Sequence, residues 1–360
     1  MIDRLRELVE AFCVVPGLSG HERRIRMAIS DRLPGAGEGD ALGNLWLSFP
    51  GDPTAPSVMV FTHMDQLGFV VRKIEADGFL RLERLGGVPE RALPSQAVTI
   101  CGQNGDIAGL IANKSHHATS PDEKYQVVRY PDLYVDAGFS SKAEAEAAGV
   151  QIGCPVVYRG HVMPLAGNRI AGTAIDDRAG CAALVLLAEA LAKRDGGPTV
   201  HVCFTVQEEF NLRGAQPLAQ RLNPDIAIQI DLMLASDTPD MADRGDMRLG
   251  GGPGISLYSF HGRGTLNGVI PHPAMVKLFE DAAAVSRLTL QRSAQSGVLT
   301  DLSYVQLQGE GVVSIDVGFP MRYSHSSLEV CDLSDLAGLV TLLRAALEEI
   351  GPDFDVKAGR

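Results

Sequence analysis

Five places in the chain set acids or histidines in spacings that could do chemistry: His63-Met64-Asp65, Asp176-Asp177, Glu208-Glu209, Asp231 in IDLML and His325 in RYSHSS. Taken singly, each has an ordinary explanation. A histidine at a strand end is most often a hydrogen-bonded structural residue, a Glu-Glu pair a solvated helix face, and an aspartate before a helix a cap. Taken together, they ask for something more. His63 and Asp65 follow the apolar run SVMVFT (57–62), Glu208 and Glu209 follow TVHVCFTV (199–206), Asp231 follows DIAIQI (225–230), and His325 lies shortly after VVSIDV (312–317). An acid directly behind six residues of a buried strand cannot easily reach water, and burying several unpaired carboxylates costs several kcal/mol apiece. The nearby sequence offers only Arg178, Arg213 and Arg322 as counter-charges. A cluster of divalent cations is the more economical source of positive charge.

The spacing adds detail to that chemistry. In an extended chain, residues two apart point the same way, so Asp65 can accept a proton from the His63 nitrogen that faces away from a metal. Neighbouring Glu208 and Glu209 point in different directions, so one can bind metal while the other acts as general base.

The elements that must position these residues are legible as patterns. The four runs are short, continuous and β-branched, as buried parallel strands are. Helical text separates or follows them: ERRIRMAISDRL, RAGCAALVLLAEALAKR, RGAQPLAQRL and the closing SLEVCDLSDLAGLVTLLRAALEEI. This alternation predicts an α/β fold with a mostly parallel central sheet and helices on both faces, and the carboxyl ends of such strands line the ligand crevice. From about Phe69 to Val162 the text turns to short extended pieces with hairpin signals at Asp77-Gly78 and Asn104-Gly105. That change predicts a small β-rich domain, 68–163, inserted into a catalytic domain made of 1–67 and 164–360. Its middle, NKSHHATSPDEKYQVVRYPDL, reads as a polar loop with His116 and His117 on the surface, and SKAEAEAAG as one short helix.

Composition narrows the partners. With 360 residues, 45% of them hydrophobic, and a formal charge of −12, the chain can bury a large core but lacks the basic patches that nucleic acid or anionic lipid requires. Neither is an expected partner. The N-terminal helix pattern is not a signal peptide, and the longest apolar stretch, Ala179 to Ala192, carries Glu189 and is too short to span a bilayer. The six scattered cysteines read as reduced core residues, which predicts a cytoplasmic protein.

Five motifs, THMDQLGF, AGNRIAGTAIDDRAG, FTVQEEFNLRGA, IDLMLASDTPD and GFPMRYSHSSLEV, occur in an order and spacing that resembles the M42 family of metallo-aminopeptidases, within the di-zinc peptidase clan. VPGLSGHE and GDALGNL extend the resemblance to nearly the whole chain. It implies two divalent ions per subunit, zinc first, with cobalt or manganese as alternatives of shared ligand chemistry. It implies that His63 and Asp231 hold one ion, Glu209 and His325 the other, that Asp176 bridges them, that Asp65 orients His63, and that Glu208 is the catalytic base. The substrate would be a peptide, the insert a dimerisation domain, and the assembly a tetrahedral dodecamer built from dimers. The Asp176-Asp177 peptide would be cis, leaving Asp177 to pair with Arg178 or another donor.

Some positions depart from the family text: Gln66 stands where an acid is common, Thr173 where lysine is, and Asn211 where glycine is. These bear on specificity, for which pocket walls are expected in 232–264 and 291–304. Asp237 is a candidate for holding a substrate amine, or equally a turn residue. Alternatives to an aminopeptidase are a deacylase or amidase at the same ions, a glycosidase, and an inactive metal-stabilised assembly protein.

Overall fold

A computed structural model describes residues 1–262 and 267–358. At its centre four strands lie side by side and parallel, in the order Val200–Thr205, Val58–His63, Ile226–Leu234, Val313–Arg322. They are the four apolar runs. Their side chains alternate between two cores, as the two-residue strand period requires. Val58 and Val60 face one core with the helices Ile2–Cys13, Ile175–Leu191 and Leu333–Glu348, while Met59 and Phe61 face another with Ala215–Leu222 and Leu302–Val305.

Parallel pairing does not dominate beyond that centre. Leu45–Phe49 pairs antiparallel with Val200–Thr205, and Glu329–Asp332, Arg169–Gly172 and Val162–Pro164 continue the other flank antiparallel. The expectation of a mostly parallel sheet is therefore corrected to a parallel core with antiparallel margins. One cause is local: Glu329–Asp332 was expected within the closing helix but forms a strand, and the helix starts only at Leu333. Asp332 marks the change by accepting the Ser334 N–H at 2.9 Å as an N-cap.

The helix Ile175–Leu191 is buried almost all round, as its lack of a polar face demands. Gly180 leaves room for the Asp177 carboxylate, which a Cβ there would overlap.

Between Gly68 and Tyr158 six strands close into a small barrel, Gly68–Ile74, Leu80–Leu85, Val135–Asp136, Gly105–Ile111, Ala97–Gly102 and Pro155–Tyr158, around Phe69, Val71, Leu82, Val98 and Ile100. Gly78 (φ +89°) and Gly105 (φ +132°) make its hairpin turns. Residues 113–129 form exposed single turns, with His116 and His117 at the surface, and Lys142–Ala147 is a short helix capped by Ser141. All six cysteines are unpaired. No helix among the described residues is long and apolar enough to cross a membrane.

Candidate metal centre

Each site residue arrives where a regular element stops being regular. His63 is the last residue of its strand. The neighbouring strand ends at Thr205, and the following loop carries Glu208 and Glu209 between Gln207, Asn211 and Leu212, all with positive φ. Asp231 does not end its strand, contrary to expectation. The strand runs on to Leu234, but its pairing with Val58–His63 stops at Gln229, so Asp231 lies beside an edge that has lost its partner. His325 sits in a loop with φ +68°, behind Tyr323 at φ +62°. Asp176 opens a helix whose first turn is irregular, and the Asp176-Asp177 peptide is cis. Positive φ in non-glycine residues costs of order 1–3 kcal/mol each and clusters where a site needs it.

These residues converge. His63 Nε2 lies 3.0 Å from Asp176 Oδ1, and His325 Nε2 lies 3.4 Å from Asp176 Oδ2 and 3.9 Å from Glu209 Oε2. The ligand atoms form two groups, His63, Asp176 and Asp231 in one, Asp176, Glu209 and His325 in the other, each with all its atoms within 4.8 Å of one another. Asp176 belongs to both and turns one oxygen to each histidine. Glu208 belongs to neither group, yet it lines the same cleft.

A layer of hydrogen bonds fixes this set. Asp65 accepts the backbone N–H of Glu208 at 3.0 Å and of Glu209 at 3.1 Å, and the hydroxyl of Ser19. Its distance to His63 Nδ1 is 3.5 Å, an electrostatic contact without hydrogen-bond geometry. Glu329, buried, accepts the backbone N–H of Asp176 at 3.0 Å and of His325 at 2.6 Å. His325 Nδ1 lies 2.8 Å from the Gly87 carbonyl of the barrel, which places the proton on Nδ1 and leaves Nε2 free as a ligand. Asp177 accepts from Thr62 Oγ1 and from Gly180 N–H (2.9 Å), so its expected pairing with Arg178 gives way to the other donors. Arg178 is buried under Gly17, where a Cβ would meet its Nη2 at 2.6 Å, and it donates to Gln66 at 3.4 Å.

The electrostatics state what is lacking. Burial, with Asp231, Glu209 and Asp301 nearby, pushes the Glu208 carboxyl well above its usual range although His63 opposes the shift. Burial raises Glu209 to about 7, and burial together with Asp176 and Asp177 lifts Asp231 well up. Burial works against charge on both histidines, yet Asp176 and Asp65 hold His63, and Glu209 and Asp176 hold His325, well above the ordinary imidazole range. Asp176 falls below the usual carboxylate range despite its burial, because both histidines hydrogen-bond to it. Protons thus supply the positive charge this cluster needs. Glu209 Oε1 is buried without a hydrogen-bond partner. Mixed imidazole and carboxylate donors with an unclaimed oxygen suit divalent ions.

Sequence reasoning missed three buried acids. Glu329 was passed over as helix, while Asp301, which accepts from Thr205 Oγ1 at 3.3 Å, and Asp316, which accepts from Thr300 Oγ1 at 2.9 Å, went unread. The signal for Asp316 was present: a single acid inside VVSIDV. Asp237 is engaged by Arg322 at 2.6 and 2.8 Å and by the Leu249 N–H, and is not free for an amine. Thr173 donates to the Ser327 carbonyl at 3.0 Å, and Asn211 adopts φ +67°, a conformation that glycine and asparagine tolerate best. The cleft, of about 670 Å³, draws Leu232, Leu234 and His261 from the first expected wall segment and Val298, Leu299 and Tyr304 from the second. Positions 263 and 264 of the first segment lie outside the described residues.

Comparison with known proteins places this arrangement. The family described as M42 glutamyl aminopeptidase matches residues 43–342. The Escherichia coli (strain K12) protein SgcX is 39% identical over 88% of this chain and 86% of its own. Among solved structures, aminopeptidase APDkam598 from the archaeon Desulfurococcus kamchatkensis superposes with a TM-score of 0.92 at 33% identity, covering 99% of this chain and 97% of that one. Pyrococcus horikoshii TET1 peptidase, which can assemble into a tetrahedron or a large octahedral shell, superposes with a TM-score of 0.85 at 28% identity, covering 95% and 99%.

Proposed function

This chain belongs to the M42 family of metal-dependent aminopeptidases, and we propose that it removes N-terminal residues from peptides at a centre of two divalent ions, with Glu208 as general base. The observation that carries this reading is the pair of donor groups meeting at Asp176, with Glu208 beside them and in neither. His63 and Asp231 would hold one ion, Glu209 and His325 the other, and Asp176 would bridge; zinc is the first expectation, cobalt or manganese the alternatives. Bound there, such ions supply Lewis acidity and make a nucleophile of water at neutral pH.

The protein's own residues do the rest. Glu208, with a carboxyl raised by burial, is suited to take a proton from the attacking water and pass it to the leaving amine. Asp65 keeps the Glu208-Glu209 backbone in place, and the Gly87 carbonyl keeps His325 Nε2 directed inward.

The division into a catalytic domain, 1–67 and 164–360, and a dimerisation domain, 68–163, belongs to the same proposal, as does assembly of dimers into a dodecamer. The closed barrel and the assembly of the Pyrococcus horikoshii relative support it.

The test is a chelator-stripped protein reloaded with zinc, cobalt or manganese and offered aminoacyl anilides beside their N-acetylated forms. Cleavage of the free-amine substrates is expected. Cleavage of only the acetylated ones would make the protein a deacylase.

A further inference from the structure

Much of the wall of the cleft beside the metal centre is apolar, with Asn211, His261 and Ser324 as polar members outside the centre. Leu212, Leu232, Leu234, Val298, Leu299 and Tyr304 line it. Its charged residues are those of the centre itself, and the acids among them are Asp176, Glu208, Glu209 and Asp231. Among the described residues no lysine or arginine lines it, and His261 is the one imidazole outside the centre. An acidic side chain entering this space finds no lysine or arginine to pair with among the described residues of its wall.

A cationic side chain fares no better. Of the acids outside the centre, Asp316 lines only a neighbouring recess of about 20 Å³ that shares Leu232 and Val298 with the cleft. A water needs about 10–15 Å³ by this kind of measure, so the recess has room for a water and none for a lysine stem. An apolar side chain, by contrast, exchanges water for five aliphatic neighbours and the Tyr304 ring.

We infer that this cleft selects peptides whose N-terminal residue carries an uncharged apolar side chain, a specificity that rests on the aminopeptidase reading above. Leu232 and Leu234 come from the part of the central strand that outruns its neighbour, and Val298 and Leu299 from the loop ahead of Leu302–Val305. The strand that delivers Asp231 therefore also builds the wall that reads the side chain.

The experiment is a panel of leucyl, phenylalanyl, alanyl, glutamyl and lysyl p-nitroanilides with the metal-loaded protein. Leucyl or phenylalanyl substrates are expected to exceed alanyl in kcat/KM by about 10- to 100-fold, the worth of one buried apolar side chain. Glutamyl or lysyl substrates cleaved as well as leucyl would overturn the inference. Val298→Lys should raise glutamyl over leucyl turnover by about 10-fold relative to wild type; Leu234→Lys serves if that variant does not fold. Calorimetry with free leucine, glutamate and lysine reads the pocket without turnover. If every anilide is inert, the aminopeptidase reading fails, and tighter binding of leucine still supports the pocket, whereas equal or tighter binding of glutamate or lysine sinks it.

Discussion

Asp65 Oδ1 accepts the backbone N–H of Glu208 at 3.0 Å, although 143 residues separate the two in the chain. The other oxygen accepts from Glu209 N–H, so one buried carboxylate sets the backbone of both the proposed base and a proposed ligand. The contact expected from the H-x-D spacing, with His63, is the weaker one at 3.5 Å.

That relationship separates two variants. Glu208→Gln should lower kcat by about 100-fold or more, the usual worth of a general base, while both metals stay bound. Asp65→Asn should lower kcat and also loosen metal at Glu209, because the two backbone donors meet different carboxylate oxygens and an amide sets its own N–H against one of them. Metal content by elemental analysis, set beside kcat, distinguishes them; equal metal loss in both would refute the division of roles between Glu208 and Glu209.

Glu329 performs the corresponding task for Asp176 and His325. Glu329→Gln turns one acceptor into a donor facing a backbone N–H, and should weaken metal binding by about 10- to 100-fold, as loss of an outer partner commonly does. A competitive chelator titration measures it. Unchanged affinity would mean that the two loops hold themselves.

Gly87→Ala places a methyl group 3.1 Å from His325 Nδ1, tighter than ordinary contact. The ring must give by a few tenths of an ångström against its carbonyl partner, so affinity at the Glu209–His325 ion should fall by about 10-fold while His63 and Asp231 keep theirs. Stepwise metal titration would show one transition shifted; two equal shifts would count against it.

The metal-free protein should lose stability as pH rises. Glu209 titrates near 7 when folded against about 4.3 unfolded, so its folded form binds the extra proton between those values, and stability present below pH 4 is lost by pH 7. The raised histidines act in the same direction, with stability full below about 6.5 and lost through their higher folded values. Asp176 is shifted the other way, but its window lies below about pH 4. Thermal melts from pH 5 to 8 should therefore fall without metal, and the gain from added metal should grow with pH. A metal-free melting temperature that climbs over this range would contradict the reading.

What could be read in the sequence follows from how far each interaction reaches along the chain. Buried parallel strands announce themselves as apolar runs, and Asp231 or His63 stand out at their ends. Asp65 reaches Glu208 and Glu209, and Glu329 reaches Asp176, across more than 140 residues through backbone groups that every residue carries, and no spacing reveals that. EVCD, at 329–332, is paired by Arg169–Gly172, a partner that local text does not name. Asp316 sits inside its run, where attention to strand ends passes over it.

The barrel strand that follows His63 and the Gly87 carbonyl on His325 tie the barrel to the centre, one by chain and one by hydrogen bond. The barrel is thus a lever whose short arm is an imidazole ring. Any contact that favours one setting of the Gly86-Gly87 loop changes the affinity of whatever His325 binds, and by reciprocity that ligand changes the affinity of the contact by the same factor.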